Sequence, residues 1–201
     1  MLPRLYTILD RGCFANLTDL LHVAEALSGA GVTLFQYRNK FADSAPMLRE
    51  ARQLRKILGK ATLIFNDRAD LCLAAACEGV HLGQDDLSVA GARRVLGSKR
   101  LVGVSTHNLE QVCAADATSA DYLAIGPVFA TASKANPDPI VGLDGVRAAR
   151  AATGKTLVAI GGITRQNCPS VIEAGADSVA VISDLLGSPA ESAEVFLRQL
   201  G

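Results

Sequence analysis

Residues 79–106 read GVHLGQDDLSVAGARRVLGSKRLVGVST, and this stretch contains one complete strand–helix–strand unit. The short apolar runs Val80–Leu82 and Leu101–Val104 do not alternate with polar residues, which is typical of strands covered on both faces. The segment between them, near residues 88–96, is rich in the alanine, leucine and arginine that favour a helix. We therefore predict two parallel strands joined by a crossover helix.

The same unit recurs along the whole chain. Predicted strands are Leu5–Leu9, Thr33–Gln36, Thr62–Phe65, Val80–Leu82, Leu101–Val104, Tyr122–Ile125, Leu157–Ile160 and Ser178–Ile182. Predicted helices lie near residues 19–29, 44–58, 68–77, 88–96, 108–115, 143–152, 165–174 and 189–199, with caps at Asp19, Ser44, Asn108 and Thr164. Strict alternation alone also permits an open, doubly wound sheet. Eight units with no element left over favour a closed (β/α)8 TIM barrel, which we predict for residues 1–201 as a single α/β catalytic domain.

Composition narrows the class of protein. Lys plus Arg and Asp plus Glu balance at 20 each, so the chain lacks the basic excess of a nucleic-acid or membrane-surface binder. The 5 cysteines are scattered without a CxxC pair, which indicates a reducing compartment. The N-terminus does not resemble a signal peptide, and no apolar stretch approaches the roughly 20 residues needed to cross a bilayer. We expect a cytoplasmic protein that binds neither nucleic acid nor membranes.

Polar side chains concentrate at the carboxyl ends of the predicted strands, the face on which such barrels carry active sites. After the second strand, alternation places Gln36, Arg38 and Lys40 on one side. Two cations and an amide donor suit a polyanion such as pyrophosphate. The alternative is a solvated strand end with no ligand.

Carboxylates follow the next two strands. Asp67 comes directly after the third strand and Asp86 shortly after the fourth. Converging carboxylates repel unless a cation lies between them, and Mg²⁺ accepts a few carboxylates together with water and phosphate oxygens. No cysteine or histidine cluster has the spacing of a zinc site. Alternatively, these acids cap the following helices, which is the preferred interpretation for Asp85.

His81 and Ser105 extend this face onto the fourth and fifth strands. His81 lies within a predicted strand, where a buried core histidine and a substrate contact are about equally expected. Ser105, just after the fifth strand, could donate its hydroxyl to a phosphate oxygen.

The remaining strand ends form a second anion-binding set. Thr131, Ser133 and Lys134 lie on the long segment that follows the sixth strand, which could close over the mouth. Gly162 and Ser183 follow the last two strands, where backbone N–H groups can approach a phosphate. A side chain added at Gly162 is expected to block that approach. Two anion sites at one mouth imply two phosphorylated reactants.

Taken together, these motifs resemble the thiamine phosphate synthase family, which includes the related thiazole tautomerases. The similarity runs in order from about residue 4 to residue 185. It is carried by QxRxK at 36–40, Asn66-Asp67, the block at 79–86, GVSTH at 103–107, GPVF at 126–129, residues 131–134 and AIGGI at 159–163.

The resemblance implies a magnesium-dependent reaction of hydroxymethylpyrimidine pyrophosphate with hydroxyethylthiazole phosphate that yields thiamine phosphate and pyrophosphate. Pyrophosphate would leave first, and the resulting pyrimidine cation would be captured by the thiazole nitrogen. The family pattern assigns pyrophosphate to Arg38, Lys40, Asn66, Ser105 and Lys134, Mg²⁺ to Asp67 and Asp86, the pyrimidine to Gln36 and His81, the thiazole to Thr131 and Ser133, and its phosphate to Gly162, Ile182 and Ser183. Of these, Arg38, Ser105 and Lys134 would act in catalysis. A homodimer is implied by the resemblance alone.

Two departures from the family pattern leave alternatives open. Ser133 replaces the usual second threonine, and residues 135–141 differ from the usual lid. Tautomerases tend to lack the acid found here at Asp86, so the sequence favours a synthase. A tautomerase-like enzyme and a non-catalytic sensor or partner protein that binds a thiamine precursor are the competing hypotheses.

Overall fold

A computed structural model describes residues 2–131 and 138–201. Its eight strands are β1 Leu5–Asp10, β2 Leu34–Arg38, β3 Thr62–Asn66, β4 Gly79–Leu82, β5 Leu101–Thr106, β6 Tyr122–Ile125, β7 Thr156–Ile160 and β8 Ser178–Val181. Each strand pairs in parallel with its neighbours in chain order, and β8 closes on β1 with Val179 opposite Leu5. The prediction of a closed (β/α)8 barrel is confirmed.

A helix follows each strand. The helices are α1 Leu17–Gly29, α2 Ser44–Leu58, α3 Ala69–Ala74, α4 Val89–Leu96, α5 Leu109–Asp116, α6 Gly142–Ala152, α7 Cys168–Glu173 and α8 Pro189–Leu200, with short 3₁₀ turns at Arg11–Cys13 and Ser183–Leu185. All eight were predicted, although α3 and α7 are shorter than expected. Within the described residues, no helix is long and apolar enough to span a membrane.

Several predicted helix boundaries are wrong at the amino end. Asn16, and not Asp19, caps α1, because its side chain accepts a hydrogen bond from the Asp19 backbone N–H at 3.0 Å. The residue before α2 is Asp43 rather than Ser44, and α7 begins after Asn167 instead of after Thr164. The cap at Asn108 is confirmed.

Two apolar layers explain why the strands do not alternate with polar residues. In β1, Leu5 and Leu9 pack outward against the helices, whereas Tyr6 and Ile8 belong to a cluster inside the barrel. The inner cluster consists of Tyr6, Ile8, Leu34, Ile64, Tyr122, Ala124, Val158 and Ala180. Because both strand faces are buried, the sequence of a strand is apolar throughout.

At the amino ends of the strands, the same carboxylate contact occurs three times. Asp177, just before β8, accepts the backbone N–H of Leu157 in β7 at 2.8 Å and a hydrogen bond from Arg150 at 2.9 Å. Equivalent contacts join Glu78 to Leu63 and Arg55, and Asp121 to Val102 and Arg93. These contacts tie neighbouring strands to the outer helices at the end opposite the carboxyl ends.

Candidate active site

One cavity of about 470 Å³ opens at the carboxyl ends of the strands. It collects every described residue that the sequence assigned to a site, namely Gln36, Arg38, Lys40, Asn66, Asp67, His81, Asp86, Ser105, Thr131, Gly162, Ile182 and Ser183. The predicted residues Ser133 and Lys134 lie outside the described residues. The predicted convergence therefore holds for all the residues on which the structure bears.

The two cations at the end of β2 are held by carboxylates. Arg38 donates to Asp10, a buried residue at the end of β1 whose other oxygen accepts the Gly12 N–H at 3.0 Å. Lys40 forms an ion pair with Asp67. Asp10 was not predicted as a site residue. Its sequence position pointed to the site, because it is the last residue of β1 and so lies at the carboxyl end of a strand.

Asp67 occupies an unusual backbone conformation at the end of β3. Its φ of 63° lies in the left-handed region, and its N–H donates to the His81 carbonyl at 2.7 Å. Such strain is sustained where the surrounding structure holds it and is common at functional sites. Burial raises the pKa of the Asp67 carboxyl, and a hydrogen bond with Asp86 raises it further, whereas Lys40 acts in the opposite direction. The two neighbouring carboxylates thus repel each other when both are ionised, and a cation between them would relieve that repulsion.

Asp86 shapes its own loop. Its Oδ2 accepts the Gly83 N–H at 2.7 Å, and a Cβ at Gly83 would come within 2.8 Å of the same oxygen. Neither Asp85 nor Asp86 caps α4, since that role belongs to Ser88, which accepts from the Gly91 N–H at 3.2 Å. The alternative interpretation of these acids as helix caps is wrong.

The charge around the cavity fits a divalent cation. Among the described lining residues, carboxylates outnumber the two cations, Arg38 and Lys40: the acids are Asp67, Asp85, Asp86 and Asp138. A polyanion would be repelled from such a mouth unless a cation bound with it. No group of three potential ligands among His, Cys, Asp and Glu occurs in the described part of the chain. Asp67 and Asp86 would therefore share the ion with water and phosphate oxygens, which is the donor set that Mg²⁺ prefers.

Asn66 adds an unsatisfied donor to the same region. Its side-chain Nδ2 is buried and has no hydrogen-bond partner within the described structure. A buried amide without a partner is costly, by about 1–3 kcal/mol. An anion oxygen in the cavity would satisfy it.

A hydrogen-bonded chain of buried side chains forms the floor of the cavity. Gln36 Nε2 donates to the Tyr6 hydroxyl at 2.8 Å, and that hydroxyl lies 3.0 Å from the hydroxyl of Tyr122. The Tyr122 hydroxyl lies 3.1 Å from His81 Nδ1, and His81 Nε2 lies 2.8 Å from Ser105 Oγ. Burial lowers the pKa of His81 to about 4, so the ring is neutral at physiological pH.

His81 is therefore neither a plain core residue nor an isolated ligand, since it connects the barrel interior to the mouth. The sequence reasoning missed Tyr6 and Tyr122 because each falls inside an apolar strand segment. Their only sequence signal is a hydroxyl in an otherwise hydrocarbon run.

On the β7 side, two glycines pack closely against the residues that follow β6. Gly161 and Gly162 have φ values of 102° and 63°, so both adopt a conformation that favours glycine. A Cβ at Gly162 would lie 2.5 Å from the Ala130 carbonyl oxygen and 2.8 Å from Phe129 Cβ. A side chain at Gly162 would therefore displace the segment that follows β6, and the expectation that it blocks a phosphate stays a prediction.

The far end of that segment reaches the rim above β5. Asp138 Oδ2 lies 3.5 Å from His107 Nδ1, which also lies 2.7 Å from the Gly126 carbonyl oxygen. Both residues line the cavity, and neither had a predicted role. His107 thus links Asp138, which lies shortly before α6, to Gly126, which directly follows β6.

Comparison with known proteins agrees with this geometry. A family model described as thiamine monophosphate synthase matches residues 5–185. A thiamine-phosphate synthase of Koribacter versatilis is 58% identical over 99% of this chain and 96% of its own length, and one of Chloroflexus aurantiacus is 43% identical over 98% and 90%. The solved structure of thiamine phosphate pyrophosphorylase from Pyrococcus furiosus superposes with a TM-score of 0.85 at 31% identity, covering 98% of this chain and 95% of that one.

Proposed function

The chain belongs to the thiamine monophosphate synthase family, and we propose that it joins hydroxymethylpyrimidine pyrophosphate to hydroxyethylthiazole phosphate. The products are thiamine phosphate and pyrophosphate, so the protein is a transferase that acts on small phosphorylated molecules. One observation carries the proposal. All the described residues that the family pattern assigns to substrates or metal line a single cavity.

The pyrophosphate would bind on the β2–β5 side of the mouth. Arg38, held in place by Asp10, and Lys40 supply positive charge, and Asn66 supplies its unsatisfied amide donor. Ser105 adds a hydroxyl from β5. Preorganised donors of this kind stabilise an anion as it leaves without any reorganisation at the moment of reaction.

Asp67 and Asp86 would hold Mg²⁺ next to these donors. When bound, Mg²⁺ neutralises part of the charge that develops on the departing pyrophosphate. Lys40, now paired with Asp67, would then turn its ammonium group toward the anion. The excess of carboxylates among the described lining residues supports this requirement for a cation.

The pyrimidine would rest on the floor, beside Gln36 and the neutral ring of His81. The bond from the pyrimidine methylene to the pyrophosphate oxygen breaks, and its electron pair leaves with the pyrophosphate. The thiazole nitrogen then donates its lone pair to the methylene. Because no proton moves in either step, the site needs no general base, and a neutral histidine is compatible with it.

The thiazole phosphate would bind on the β6–β8 side. Thr131 and Ser133 would border the ring, and backbone groups of Gly162, Ile182 and Ser183 would bind the phosphate. These residues follow different strands from the pyrophosphate donors, so the two anions can be bound at once.

Two competing hypotheses are less well supported. Thiazole tautomerases tend to lack the acid found here at Asp86, whereas in this chain Asp67 and Asp86 meet at the mouth, where acids outnumber cations among the described lining residues. A sensor without catalytic activity would have no need for the magnesium site proposed here. The named relatives also support the synthase.

Two finer expectations remain part of the proposal. The five cysteines are all free thiols, which suits a reducing compartment such as the cytoplasm. A homodimer is expected from the family, and light scattering of the purified protein would test it.

The decisive experiment supplies both phosphorylated precursors with Mg²⁺ and follows thiamine phosphate and pyrophosphate together. We expect equal amounts of both products, no product from either precursor alone, and loss of activity with a chelator. Lys134→Ala should slow the chemical step by about 10²–10³, as expected for one preorganised electrostatic donor. Isomerisation of the thiazole compound alone would instead identify a tautomerase, and binding without turnover would identify a sensor.

A further inference from the structure

Tyr122 contacts the floor network without lining the cavity. Its side chain is fully buried, and its ring stacks on His81 with centroids 5.5 Å apart. Its hydroxyl lies between two polar groups, 3.0 Å from the Tyr6 hydroxyl and 3.1 Å from His81 Nδ1. A residue in this position can affect a substrate only through the groups it touches.

The chemistry of the members favours one direction for the network. The Gln36 amide nitrogen can only donate, so the Tyr6 hydroxyl accepts from it. Donation of the Tyr6 proton to Tyr122 then gives each of the two hydroxyls both a donor and an acceptor among the described residues. Tyr122 in turn directs its proton to His81 Nδ1. A neutral imidazole with an accepting Nδ1 carries its proton on Nε2.

The last member faces the cavity. His81 Nε2–H then donates to Ser105 Oγ at 2.8 Å, which occupies a lone pair of that oxygen. The Ser105 proton is consequently left to point into the mouth. If the network ran in the reverse direction, the Ser105 hydroxyl would donate its proton to His81 Nε2. Only its lone pairs would then face the cavity, and these repel an anion.

We propose that Tyr122, assisted by Tyr6, is a positioning residue that sets the His81 tautomer and thereby holds the Ser105 hydroxyl as a donor toward the departing pyrophosphate. The assignment of the acceptor anion rests on the proposed function, whereas the direction of the hydrogen bonds does not. Neither tyrosine takes part in bond making. Their effect is to remove the rotational freedom of a hydroxyl that must donate at the moment of bond cleavage.

The tautomer is tested first, by ¹⁵N NMR of the ligand-free protein, with the His81 signals assigned from His81→Gln. We expect the proton on Nε2 in the wild type, and a mixture of tautomers or a proton on Nδ1 in Tyr122→Phe, which keeps the ring. A wild-type proton on Nδ1 would overturn the proposal. This measurement needs no substrate, so its failure is separate from failure of the synthase activity.

The consequence for Ser105 is tested by a double-mutant cycle under single-turnover conditions. Ser105→Ala should slow pyrophosphate release by about 10²-fold, and Tyr122→Phe by about tenfold. In the Ser105→Ala background, Tyr122→Phe should have no further effect, because its influence passes through the missing hydroxyl. Additive effects would mean that Tyr122 acts by another route.

Two variants guard against a general structural effect. Thr106→Val deletes another buried hydroxyl of β5, one that donates to the Ala124 carbonyl at 2.9 Å and does not line the cavity. It should leave both the tautomer and the chemical step unchanged. Tyr6→Phe breaks the network one link earlier and replaces Tyr122→Phe if that variant does not fold. It should reproduce the tautomer mixture, and an unaltered Nε2 tautomer would count against the proposed direction.

Discussion

Gly162→Ala should damage the enzyme through the segment that follows β6 rather than through the phosphate. At φ 63° an alanine is less stable than glycine by about 1 kcal/mol. Its Cβ would also stand 2.5 Å from the Ala130 carbonyl oxygen and 2.8 Å from Phe129 Cβ, so backbone must move. Overpacking of this kind adds about 1–3 kcal/mol. We expect a total destabilisation of about 2–4 kcal/mol.

Gly31→Ala separates the two contributions. Gly31 follows α1 with a φ of 98°, and a Cβ there would meet only Leu197 Cδ1, at an ordinary contact distance of 3.5 Å. Only the backbone contribution of about 1 kcal/mol should remain, with full activity. The free energy of unfolding is measured for both variants by urea titration, with the urea dependence checked for agreement with the wild type.

Kinetics give the more specific test. Because the displaced residues lead directly to Thr131, we expect kcat/KM to fall by about 10²-fold for both substrates, as for a 1 Å displacement of a catalytic segment. A rise in KM for the thiazole phosphate alone, with kcat preserved, would instead show that the added side chain blocks the phosphate. Equal stability of Gly162→Ala and Gly31→Ala would refute the predicted clash.

Three further predictions concern other parts of the molecule. Asp86→Asn keeps an acceptor for the loop amide but loses charge, so calorimetry should show Mg²⁺ binding weakened by about 10²-fold or more; an unchanged titration would remove Asp86 from the metal site. Asp177→Ala removes the acceptor of the buried Leu157 N–H and should lower the free energy of unfolding, measured in urea, by about 2 kcal/mol. Asp144→Ala, which breaks the exposed ion pair with Arg147, should change it by at most about 0.5 kcal/mol. Equal effects of the two variants would contradict this prediction. Burial raises the pKa of Cys72 and Cys77 to about 12, so their thiolate fraction near pH 8 is about 10⁻⁴. An alkylating reagent should therefore leave both thiols unmodified until the pH is raised. Rapid alkylation of both in the native protein would disprove their protection.

The architecture could be predicted from the sequence because each strand and helix has its own local pattern of residues. Each strand of β1–β8 is buried on both faces and therefore appears as a short apolar run, and each crossover requires a helix. Counting these units yields the barrel without knowledge of any contact. The helix starts were less predictable, since Asn16 and Asp19 are equally good caps by residue type and only the backbone path selects between them.

Much of the candidate site was also readable, for a reason of topology. In a barrel of parallel strands all carboxyl ends lie on one rim, so residues such as Arg38, Asp67 and Ser183 converge whatever their separation in the chain. Chain order alone places them. Their number and type then predict an anion site beside a metal.

Only the tertiary structure determined which side chains meet within that rim. Tyr6 and Tyr122 are 116 positions apart and touch because closure of the barrel brings β1 and β6 to face each other across its interior. Likewise, the direction of a Cβ at Gly162 depends on where the β6 segment passes. Which side chains touch, and where each one points, depends on strand register and three-dimensional packing, which no local pattern of residues encodes. Which residues lie on the rim depends on strand order alone.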